Sequence, residues 1–71
     1  MERDIAETIQ AVALETRRHL DALVAEVGAA ADPLTAERLM RGVGTVLAAL
    51  KTEVLEPVYA EHPDLREREP S

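Results

Sequence analysis

The larger apolar residues in the first half of the chain recur at intervals of three and four, and a second series after residue 38 mirrors the first. Ile5, Ile9, Val12, Leu20, Leu23 and Val27 form the first series, with Thr16 at the one position where the spacing calls for an apolar side chain. Leu39, Val43, Val46, Leu50 and Val54 form the second, widened by Met40, Leu47 and Val58. Such spacing collects side chains on one face of an α-helix and is incompatible with the two-residue period of a strand. Antiparallel helices rise equally per residue, so facing positions have residue numbers with a constant sum. Val27 with Leu39, Leu23 with Val43, Leu20 with Val46, Thr16 with Leu50 and Val12 with Val54 share one register, and Ile9 with Val58 is offset by one. The expected fold is therefore all-α, an antiparallel two-helix hairpin.

Local signals set the boundaries. The first helix is expected over about residues 3–29, ending near Gly28, with a turn over about 30–34. Two starts compete for the second helix. Asp32 caps with Pro33 at the first helical position, or Thr35 caps with Leu34 and Leu39 as a hydrophobic staple and Glu37 in the first turn. Helix 2 is expected over about 35–60, continuous through Gly42 and Gly44 because the apolar phase passes them without slipping. Pro57 withholds the hydrogen bond owed to the Glu53 carbonyl and should stop or kink the helix. Residues 61–71, with mixed charges and two prolines, read as a disordered, solvated tail in which only Leu65 could dock.

A hairpin of this composition has a thin core. Of the 46% hydrophobic residues, twelve positions are alanine, and the chain has one Tyr and neither Phe nor Trp. Each stripe is covered from one side only, and a core this small seldom contributes more than about 3–5 kcal/mol. Self-association into a four-helix or larger bundle is expected on that ground. Leu14, Leu55 and Tyr59 lie off the main stripes at one level of the hairpin, and Gly42, Thr45 and Ala49 make a narrow small-residue strip on helix 2. These six are the expected oligomer or partner interface.

Little chemistry is written into the residues. Without Cys there is neither a disulfide nor a thiolate metal site, and the terminal Ser71 is the one serine. Gly42-Val43-Gly44 lacks the lysine and further glycines of a phosphate loop. Glu15 and His19 could seed a metal site in an oligomer, but Glu-x-x-x-His departs from the Glu-x-x-His of di-iron bundles. His62, opposite residue 4, lies roughly 22 Å from His19 along the hairpin. A net charge of −6 opposes nucleic-acid and anionic-membrane binding, although Arg17-Arg18 and Arg38/Arg41 leave an RNA- or DNA-binding hairpin dimer as a minor alternative. The N-terminus lacks the basic and apolar regions of a secretory signal, and the charge-free run Gly42 to Leu50 is far short of the ~20 residues of a membrane span. The expectation is a cytoplasmic, cofactor-free, non-enzymatic interaction module, either adaptor, accessory subunit or inhibitor. It would act as a homo-oligomer and suit a partner with a basic surface.

Overall fold

The computed structural model describes residues 1–69 and is all-helical, without strands among the described residues. The last two residues of the expected tail, Pro70 and Ser71, lie outside the described residues. Helix α1 spans Arg3–Ala30 and α2 spans Pro33–Ala49. A π-helical segment, Leu50–Leu55, leads into α3, Glu56–Glu61, and α4 covers Pro63–Glu67. The residues joining α2 to α3 keep right-handed helical dihedrals throughout, so Gly42 and Gly44 lie inside a continuous helical rod.

Asp32, and not Thr35, caps α2. Its carboxylate accepts from the Thr35 amide at 3.2 Å and the Thr35 hydroxyl at 2.6 Å, with Pro33 at the helix start where its missing N–H costs nothing. Those two bonds hold the Asp32 carboxyl below its usual range, the hydroxyl contributing more. Leu34 is exposed, so no hydrophobic staple forms.

Pro57 neither ends nor sharply interrupts the rod, because the chain changes hydrogen-bond pattern ahead of it. The Glu56 amide reaches back five residues to the Lys51 carbonyl, widening the turn that must accommodate the proline ring. This π segment adds about one residue of phase, which decides what is buried beyond it. On a regular helix Leu55 and Tyr59 would lie roughly 120° and 160° from Val43. Setting the phase back by roughly 100° turns both towards α1.

The core accordingly differs from the expected stripes. It consists of Ala6, Ala13, Leu55, Val58, Tyr59 and Leu65, with Ile9, Leu14, Leu50 and Val54 packed against it. In the first half of α1 the buried positions are Ala6, Gln10 and Ala13, continued by the half-buried Arg17. Each follows by one residue the expected Ile5, Ile9, Val12 and Thr16, a rotation of roughly 100°. Small side chains on the buried meridian let α3 and α4 approach, while Ile5 and Val12 flank the seam and stay exposed. Nearer the Ala31–Asp32 turn only α1 and α2 are present. There Leu20, Val24, Val27, Leu39 and Leu47 are half-buried, and Val43 alone is buried.

The expected disordered tail is corrected over residues 61–69. His62 leaves helical geometry, Pro63 starts α4, and Leu65 is fully buried at 0% exposure. A leucine placed two residues after a proline-initiated helix start supplies the apolar anchor that the surrounding charges conceal.

Candidate interaction surface

The helical pair has two unlike sides. On one, the segment after His62 folds over the seam and is tied to α1 by a polar network. Gln10 donates its amide to the Tyr59 hydroxyl at 3.0 Å and to the Leu65 carbonyl at 2.7 Å. The Tyr59 hydroxyl donates to Glu69 at 2.7 Å, and Arg17 holds the other oxygen of that carboxylate at 2.6 Å. Arg66 lies over the Tyr59 ring, 5.0 Å from its centroid. Among the described residues no buried side-chain nitrogen or oxygen lacks a partner, which is why Gln10 is tolerated in so small a core.

The network biases its own titration. The Tyr59 hydroxyl first and Arg17 second hold the Glu69 carboxyl below its usual range. Burial, then the neighbouring Glu69, raises the Tyr59 phenol. At the far end of α1, Arg3 grips Asp64 through two bonds of 3.1 and 2.5 Å and keeps that carboxyl low. The Met1 ammonium contacts Glu61, lowering its carboxyl in turn, and His62 Nε2 sits 3.2 Å from the Met1 carbonyl oxygen.

This arrangement overturns part of the expected interface. Leu55 and Tyr59, at 3% and 4% exposure, belong to the core, and Leu14 packs against it. The reason is the π-segment phase shift together with the cover from α4. A proline four residues after Glu53 was the available signal, since its ring displaces the regular hydrogen-bond pattern of the turn before it.

The other side of the pair is bare. Val12 and Thr16 of α1 face Leu50 and Val54 across a shallow, almost wholly apolar groove. Ile5 and Leu23 extend this face along α1, and Val46, one turn before Leu50, extends it along α2. Exposure is 51% for Ile5, 61% for Val12, 40% for Leu23 and 52% for Val46. Gly42, Thr45 and Ala49 are also exposed. Gly42 and Ala49 lie on the same side of Val46 on the helical wheel, roughly 40° and 60° away, and a methyl group built on Gly42 would meet nothing within 4 Å.

Glu15 and His19 sit on the exposed surface of α1, 3.1 Å apart and with side chains 52% and 75% exposed. Arg18 also contacts Glu15. No group of three or more His, Asp or Glu side chains converges among the described residues, and His62 is at the N-terminal end of α1, beside Met1. The pair therefore has the geometry of an ordinary i, i+4 surface contact. Arg17 is committed to Glu69 and Arg41 to Glu37, so the two arginine clusters do not form one basic surface. No helix among the described residues is long and apolar enough to cross a membrane. Set against protein-family models, curated proteins and solved structures, the chain matches none.

Proposed function

We propose that this chain is a small, non-enzymatic protein–protein interaction module: an antiparallel helical hairpin that works as a homo-oligomer in a four-helix or larger bundle. Its role is that of an adaptor, accessory subunit or inhibitor towards another protein. One observation carries the reading. Seven large apolar side chains are 40% exposed or more, as many as the buried apolar residues, and two of the latter are only alanine. A chain with as many large apolar side chains open to solvent as apolar residues in its core gains stabilising contacts from protein outside itself. The elongated shape agrees: the radius of gyration is 14.3 Å, against about 11 Å for a compact domain of this length.

The acidic excess gives such a module a preference for partners with basic surfaces, and association with them should slow as salt rises. Light scattering on untagged protein over a hundredfold concentration range tests the oligomer. A mass of two or more chains is expected. A monomer at every concentration removes the homo-oligomer from this reading.

A further inference from the structure

We infer that a second copy of this chain covers the bare side of the helical pair, the face of Ile5, Val12, Leu23, Val46 and Leu50, leaving the α4 side outward for other proteins. The inference rests on the oligomeric reading above and assigns its contact surface. Three observations select the occupant. The first is area. The accessible surface is 5039 Å², whereas a folded monomer of 7.8 kDa exposes about 4,400 Å². The surplus of roughly 650 Å² approaches the ~800 Å² that each partner contributes to a standard stable interface. A far larger partner is not needed to absorb it.

The second is charge. A chain of net charge −6 repels its own copy unless the contact avoids the acidic groups. Three acidic side chains on the covered side are held by cations of the same chain: Asp64 by Arg3, Glu69 by Arg17, and Glu61 by the Met1 ammonium. The groove on the bare side is lined by apolar residues and threonines alone. Two such grooves meet on apolar atoms, while Glu26 beside Leu23 and Glu53 one turn past Leu50, both exposed, stay at the solvated rim, the condition for self-pairing of one patch across a two-fold axis.

The third is the asymmetry of the cover. Residues 63–69 close one side of the seam and cannot reach the other, because Leu65 is seated in the core and Glu69 is tied to Arg17. Among the described residues no segment crosses the bare side, which is open to another molecule. Gly42, beside Val46 with open space above its backbone, lets an approaching helix come close there.

The chain contains no Cys, so single cysteines report accessibility cleanly. A cleft between Leu47 of α2 and Arg17, Leu55 and Tyr59 marks the covered side. Val12→Cys and Val46→Cys probe the proposed contact, and Met40→Cys, at an exposed position seven residues before Leu47 on the cleft side of α2, probes outside it. Alkylation by iodoacetamide is followed from dilute to concentrated protein, with mass measured in parallel. The expected result is at least a tenfold slowing at positions 12 and 46 as the dimer forms, and an unchanged rate at position 40. Dimers that leave positions 12 and 46 reactive overturn this face while sparing the oligomer. Protection at position 40 instead moves the contact to the cleft side and also overturns it. Absence of any dimer defeats both readings. Should a cysteine variant fold poorly, Val46→Thr, which keeps the branched shape, must weaken dimerisation without loss of helicity in the dilute protein.

Discussion

Replacing Leu65 with Ala removes the side chain that joins the C-terminal segment to the rest of the molecule. Leu65 is completely buried among Ala6, Leu55, Val58 and Tyr59. Leucine-to-alanine changes at such sites cost about 2.7–5.0 kcal/mol, more when the cavity cannot collapse. Here α4 is five residues long and attached through one non-helical residue, so it can settle into the void and the loss should fall at the lower end, about 3 kcal/mol. Set against a total of about 4 kcal/mol for a core of this size, that leaves about 1 kcal/mol. The unfolded fraction then rises from about one chain in a thousand to roughly one in six. Urea denaturation followed by circular dichroism and by the fluorescence of Tyr59 measures this, at one fixed protein concentration because association adds to apparent stability. Leu34→Ala, at an exposed leucine, serves as control and should stay within about 0.5 kcal/mol of wild type. A Leu65→Ala protein that also stays within that margin would refute the assignment of Leu65 to the core and of residues 61–69 to the folded part of the chain.

The remaining expectations use the same denaturation assay. Tyr59→Phe deletes the hydroxyl between Gln10 and Glu69 and should cost about 1–2 kcal/mol, with the Glu69 carboxyl moving back up in a carboxyl-detected NMR titration; an unmoved carboxyl contradicts the network. The carboxyls of Glu61, Asp64 and Glu69 are all lowered by folding, so their contribution is complete above the ordinary carboxylate range and is lost as pH falls through the depressed values. The denaturation midpoint should drop in acid, less so for Glu69→Gln, and a pH-independent midpoint would contradict the assignment. Tyr59 is raised, so its contribution is complete below the ordinary phenol value and fades as pH climbs above it; a midpoint that holds at high pH in wild type, or falls equally in Tyr59→Phe, contradicts this. Gly42→Ala and Gly44→Ala should each stabilise the dilute chain by up to about 1 kcal/mol, since neither meets a neighbour, but only Gly42→Ala should weaken the dimer; equal effects on association argue against close approach at Gly42.

Periodicity alone made the helices legible, because three-and-four spacing survives whichever neighbour a helix has. Rotation about the helix axis was less legible. The stripe of largest residues passes through Ile5 and Val12, and a reading by size makes it the buried face. The buried line in fact runs through Ala6, Gln10 and Ala13. Alanine is ambiguous in a sequence, since it suits a close helix contact and a solvent-facing position equally well. Gln10 resists sequence reasoning for a different reason: its partners, Tyr59 and the Leu65 carbonyl, are supplied by residues far along the chain. Exposure was legible for some of the expected interface residues and not for others. Gly42, Thr45 and Ala49 are open, whereas Leu55 and Tyr59 are carried inward by a π segment whose phase shift no 100° wheel contains.

The same shift accounts for the contrast between the two sides. By turning Leu55 and Tyr59 towards α1, it concentrates the larger core residues at the end remote from the turn, on the side where α4 lies. Leu65 can then bury itself, and Gln10, Tyr59, Glu69 and Arg17 can satisfy one another around it. Ile5, Val12 and Val46 receive nothing from that arrangement. They remain a second apolar face that no segment among the described residues covers. A regular helix through residues 50–55 would have kept Leu55 and Tyr59 outward and left α4 without its buried seat. One added residue of helical phase, enforced by Pro57, thus closes one side of the molecule and leaves the other to association.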